Sequence, residues 1–252
     1  MIDLALMIGV CFGAPVVLAL LLSGRWQHPK AILWGLAATA AVFINIIVVG
    51  FAPAIVPPLP FMKGLEWNWV GKVATITATL IIFAALPKAV RIETGILNVP
   101  KSDNWATVAF VCAALLAFFW GVSFFTRDGT VPTAEYYVFQ TFMPSLDEEF
   151  AYRGTILAML VAAFGKPYRL AGIQTSWAGL PVVAVFGLVH GYSIVLEGGP
   201  IDAGLVALTI FVTGVAGLGL YWLKEKTSSV WLCVVMHSLM NLGSGFFNQF
   251  SS

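Results

Sequence analysis

Six ionisable residues stand where the chain is otherwise apolar: Asp147, Glu148, Glu149 and Arg153 in the run D-E-E-F-A-Y-R-G, His190 in a second apolar stretch and His237 in a third. Glu149 and Arg153 are four residues apart with the acid first, the spacing and order that make an ion pair on one helical face. Glu148 lies about 100° further round the same helix, shares its face with Tyr152 and has no partner at helical spacing. His237 and Asn241 repeat the four-residue spacing, as do Phe186 and His190. One unpartnered carboxylate, two imidazoles and an amide turned to a common interior can take a proton from water and hold a developing oxyanion. Asp147 reads differently, as a helix cap or surface acid, and Phe186 and Tyr152 read as packing residues that support the site.

The elements that carry these groups are set by composition. Of 252 residues 60% are hydrophobic and 10% charged, with a mean hydropathy of +0.92, outside the range of soluble globular domains. The chain therefore reads as an all-α, multi-pass integral-membrane bundle, a single domain over 1–252 with N-terminal helices in 1–133 and a motif-bearing core over about 136–248. A net charge of +1 leaves no basic surface for nucleic acid; the bilayer is the expected surrounding. Cys11, Cys112 and Cys233 lie in separate apolar stretches without metal or disulfide spacing.

About eight spans of bilayer length follow: Ile2 to Ser23, Ala31 to Gly50, Val70 to Leu86, Trp105 to Phe125, a long segment from Ala134 to before Gly165, Trp177 to Leu196, Ala203 to Leu223 and Ser229 to Phe247. The first, with Asp3 near its start and no cleavage signal, reads as a retained span. Pro53, Pro57, Pro58 and Pro60 are expected to end the second. Pro144 is expected in the first turn of the main fifth helix, after a short lead-in. Pro87 to Asn104 reads as a surface connection with one amphipathic turn, and Asn45 as a bond to a neighbouring helix. Alternate connections collect Arg25, Lys30, Lys88, Arg91, Lys101, Lys166, Arg169, Lys224 and Lys226 on one side; the other side has Lys63, Lys72 and Arg127, with Glu197 and Asp202 in one of its loops. The positive-inside rule then puts both termini outside the cytoplasm.

Ionisable groups at membrane depth cost a few kcal/mol or more and by default mark function. Here E-E-F-A-Y-R (Glu148 to Arg153), F-G-L-V-H (Phe186 to His190) and H-S-L-M-N (His237 to Asn241) resemble the three motifs of the CPBP intramembrane proteases, a family that includes the type II CAAX prenyl endopeptidases and bacteriocin-processing and immunity (ABI) relatives. The resemblance implies an endopeptidase acting on a membrane protein or a lipidated, CAAX-type peptide. It implies that Glu148 with His190 activates the hydrolytic water, that His237 and Asn241 stabilise the oxyanion, and that Glu149 and Arg153 brace the site. Family members are described both as metalloproteases and as metal-free glutamate proteases. Glu148, His190 and His237 are a possible Zn²⁺ set, but no H-E-x-x-H helix is present, and metal-independent chemistry without a cofactor is the expectation. Buried Glu, Arg and His also build proton relays, so a proton-coupled transporter is the alternative from another class; a non-proteolytic immunity or scaffolding protein is the third.

Overall fold

The computed structural model describes residues 9–196 and 202–250; the start of the first expected span, with Asp3, and the loop residue Glu197 lie outside the described residues. A π-helical turn (Gly9–Gly13) leads into α1 (Ala14–Leu22), followed by α2 (Pro29–Ile55), α3 (Trp69–Ala85), the short α4 (Lys88–Thr94) and α5 (Trp105–Phe125). Then come α6 (Ala134–Glu148), a π-helix (Glu149–Ile156) and α7 (Leu157–Phe164), an antiparallel hairpin of β1 (Tyr168–Leu170) and β2 (Ile173–Thr175), and α8 (Gly179–Leu196), α9 (Ala203–Thr227) and α10 (Trp231–Asn248). The architecture is an all-α membrane bundle carrying one small hairpin.

Over their described residues, the eight expected spans coincide with helix. By length and composition α2, α5 and α9 are apolar enough to cross a membrane, and Gly9–Leu22, Trp69–Ala85 and Gly179–Val195 are shorter apolar helices. Large apolar side chains such as Leu33, Leu36, Ile81, Phe110, Phe211 and Leu218 face outward, an arrangement suited to lipid as solvent. The connection after α3 carries the expected amphipathic turn: α4 buries Val90 and Thr94 and exposes Lys88 and Arg91.

One proline expectation is corrected and the other holds in part. Helix α2 continues through Pro53 but ends at Ile55, just before Pro57 and Pro58. Helix α6 begins at Ala134, where Thr133 Oγ1 accepts from Tyr136 N at 3.1 Å, and carries Pro144 in its interior. A proline removes one backbone bond and loosens the turn before it; in that turn the Thr141 carbonyl accepts from Ser238 Oγ of α10 at 2.6 Å, and Ser238 also bonds Ser145 Oγ at 2.9 Å. Partners on a neighbouring helix let a bundle tolerate such a break. The result is one helical rod from Ala134 to Phe164. Glu148 lies fourteen residues along it, about 21 Å from its start at 1.5 Å per residue, well away from either end.

The register of α3 beside this rod is fixed at one end. Glu135 accepts from the backbone N of Glu66 and of Trp67, both at 3.0 Å, and from Trp69 Nε1 at 2.9 Å. Asn68 caps α3 by accepting from Gly71 N and reaches α2 by donating to the Val49 carbonyl, each at 2.9 Å. Gly71 permits that closeness, since a Cβ there would lie 2.4 Å from the Val49 oxygen. At the opposite end Lys166 pairs with Glu93 and with Glu225, Lys224 donates to the Glu93 carbonyl at 3.0 Å, and Lys226 meets Asp103 at 2.5 Å. That hydrogen bond from Lys226 holds the exposed Asp103 carboxyl below its ordinary range. Charges that the loop sorting assigns to one side thus share one end of the bundle.

Candidate active site

The π-helix is the centre of the site, and every one of its residues is buried. Its i→i+5 pattern is rare and recurs at functional sites. Thr155 Oγ1 donates to the carbonyls of Ala151 at 3.0 Å and Phe150 at 3.3 Å, while Gly154 leaves room for Ile96, whose Cδ1 would stand 3.3 Å from a Cβ. Within it Glu149 and Arg153 form the expected pair, Oε1 to Nη1 at 3.0 Å, with neither side chain reaching solvent.

Glu149 has a second partner. Its Oε1 lies 2.8 Å from His237 Nδ1, which ties the π-helix to α10. A carboxylate accepts, so Nδ1 carries the hydrogen, and the carboxylate sets both the tautomer and the ring orientation. His190 is fixed within its own helix: Nδ1 lies 2.6 Å from the Phe186 carbonyl. Nδ1 is therefore the donor, and Nε2 of the neutral ring keeps its lone pair. Phe186 lies between these groups, its ring 5.0 Å from that of His190, 5.7 Å from that of His237 and 6.4 Å from that of Tyr152. The Arg153 guanidinium sits 3.9 Å above it. Phe186 and Tyr152 hold the packing role expected of them, and Phe186 adds a cation–π contact.

Two expectations fail at the neighbouring acids. Glu148 has a partner: Lys72 Nζ of α3 lies 3.1 Å from its Oε1 and 2.8 Å from Asp147 Oδ2. Asp147 is neither cap nor surface acid, being 2% exposed and accepting from Asn45 Nδ2 of α2 at 3.4 Å; the bond expected of Asn45 is this one. The misreading has a physical cause. With Pro144 expected in the first turn of a helix, Asp147 fell at a helix end and Lys72 at a flank. Once α6 starts at Ala134, both lie inside the bundle. The sequence signal for Lys72 is a lone ammonium inside an apolar helix, a group that needs an internal partner.

A cavity of about 310 Å³ opens against these residues. Lys72, Asp147, Glu148 and Tyr152 form one wall, Asn45 and Val49 of α2 a second, and Phe186, His190 and Ser193 of α8 a third. Glu148 Oε2 is buried and has no hydrogen-bond partner, and the same holds for Glu149 Oε2 and for Nε and Nη2 of Arg153. The structure thus brings Glu148 and His190 to one cavity, with both imidazoles in electrostatic range of Glu148. Glu149, Arg153 and His237 form a buried network beside it. Asn241 is one turn beyond His237 and off the cavity wall; its carbonyl accepts from Tyr136 Oη at 3.2 Å.

The possible zinc set does not fit as it stands. Among the described residues no three His, Cys, Asp or Glu side chains converge as metal ligands. Glu148 Oε1 is engaged by an ammonium, whereas zinc needs converging donors; His190 and His237, each held through Nδ1, keep Nε2 as the nitrogen that a metal would take.

Residues 130–243 match the family model described as "Type II CAAX prenyl endopeptidase Rce1-like". No curated protein and no solved structure matches the chain. The matched segment contains all three motifs and omits α1 to α5, and with them Asn45 and Lys72.

Proposed function

We propose, proceeding from the match of residues 130–243 to the type II CAAX prenyl endopeptidase model, that the chain is a CPBP/CAAX-type protease that hydrolyses a peptide bond of a membrane-associated or lipidated, CAAX-type protein or peptide by means of a water activated by Glu148 and His190. One observation carries the reading. Glu148, whose buried Oε2 has no hydrogen-bond partner, and His190, whose lone-pair nitrogen is Nε2, line one cavity inside the bundle.

Glu148 Oε2 accepts the water proton as the oxygen attacks the scissile carbonyl, and His190 Nε2 orients the same water. The carbonyl oxygen gains the negative charge. His237 Nε2–H and the Asn241 amide are the donors assigned to it, and when both nitrogens of His237 donate, Glu149 is the counter-charge behind the ring. Collapse of the tetrahedral intermediate breaks the C–N bond, and the proton held by Glu148 passes to the leaving amine. Arg153 keeps Glu149 in place. Asn241 reaches the oxyanion position once a substrate fills the cavity, because apo hydrogen bonds tighten in the complex.

The test uses the full-length protein in liposomes with an internally quenched, prenylated peptide. Glu148→Gln and His190→Ala are each expected to lower cleavage by at least ~10²-fold while the helical circular dichroism and melting temperature stay near those of the parent. Full activity in both variants ends the reading. A chelator separates the two chemistries: cleavage should persist in 1,10-phenanthroline, and loss reversed by added zinc would establish the metal-dependent alternative.

A further inference from the structure

Lys72 takes no part in the steps above and lies outside the matched segment, yet it is the cation that touches the proposed base. Two adjacent carboxylates repel, and one buried ammonium between them offsets part of that repulsion. The two contacts differ. Asp147 has the shorter one and is almost wholly enclosed, with its other oxygen on Asn45. Glu148 has the longer one, its other oxygen has no hydrogen-bond partner, and the residue lines the cavity. Asp147 therefore anchors the ammonium, and the ammonium in turn holds Glu148 by one oxygen. The devices that set the register of α3 lie within a turn of Lys72: the Asn68 cap and the close approach at Gly71.

We infer that Lys72 is a positioning residue for Glu148: anchored on Asp147 and Asn45, its ammonium grips Oε1 and turns Oε2 toward the reacting water. The inference rests on Glu148 being the base. The competing account is that Lys72 only neutralises Asp147 and holds the bundle together.

Four variants decide between them in the same liposome assay: Lys72→Met, Lys72→Arg, Asp147→Asn, and the double variant Lys72→Met/Asp147→Asn. The double variant removes both the cation and the charge it would otherwise leave unpaired. The expected result is a kcat about 10²-fold lower in Lys72→Met with KM within about twofold, and partial rescue by Lys72→Arg. The double variant should regain the melting temperature but not kcat. Recovery of kcat in the double variant overturns the inference, as does a rise in KM at unchanged kcat. If Glu148→Gln is inactive and Lys72→Met is silent, only this inference fails. If Glu148→Gln is fully active, the proposed base fails and this inference with it. Should the peptide not be cleaved by the parent, infrared difference spectra against Glu148→Gln assign the Glu148 carboxylate stretch. That band should shift equally in Lys72→Met and in the double variant; a band unmoved in both overturns the contact.

Discussion

Glu148 and Glu149 are neighbours in sequence with opposite surroundings. Glu149 is enclosed by Arg153 and His237 and is not part of the cavity lining, so its charge is committed to structure; Glu148 lines the cavity and is paired there with Lys72. Glu149→Gln should therefore act mainly on stability. It leaves the Arg153 guanidinium buried without its counter-charge, which costs about 3–5 kcal/mol, and thermal unfolding in detergent should show a large drop. Glu148→Gln should leave the melting temperature within a few degrees of the parent and remove cleavage. At this scale the sequence is legible wherever partners share a helix. The Glu149–Arg153 pair follows from spacing alone, as do the inward histidines from their place in apolar runs. Lys72 and Asp147 were not legible in the same way, because their pairing depends on the relative register of α3 and α6, which no local pattern encodes.

At the scale of elements, the register of α3 is the quantity that matters, and the buried Gly71 is the point most sensitive to substitution. A valine there would press on the Val49 carbonyl and on the Asn68 cap. Overpacking of this kind costs about 1–3 kcal/mol, and pushing α3 outward would also draw Lys72 from Asp147. Gly71→Val is expected to lower both the melting temperature and the cleavage rate. Gly214→Ala, where nothing lies within 4 Å of a new Cβ, should change neither. Helix positions were legible from apolar run length, and the end of α2 from the prolines after Val56; breaks at single prolines were not. Pro53 and Pro144 each carry the mark of a break and sit inside helices, and at Pro144 the helix packed alongside supplies the Ser238 hydroxyl to the loosened turn.

For the whole molecule, composition alone identifies the solvent as lipid, and three short motifs resemble those of the family whose model matches residues 130–243. Neither shows that the site is shared between both parts of the chain. Asn45 of α2 and Lys72 of α3 complete a cluster whose other members lie between residues 130 and 243. A fragment starting at residue 130 should therefore be inactive and sensitive to protease despite carrying every motif, and co-expression with residues 1–129 should restore cleavage in the liposome assay. Independent activity of the fragment would contradict the shared site. One mechanical property follows from the rod that runs from Ala134 to Phe164. Near its start it is clamped by Glu135 to the segment before α3, and just past its end Lys166 is clamped to Glu93 and Glu225. A beam fixed at both ends yields at its most compliant section, here the wide turn over Glu149–Ile156. Twist applied anywhere along the rod is thus delivered to the residues beside the cavity, and a guest filling that cavity should stiffen them first, as a local fall in amide hydrogen exchange across this turn.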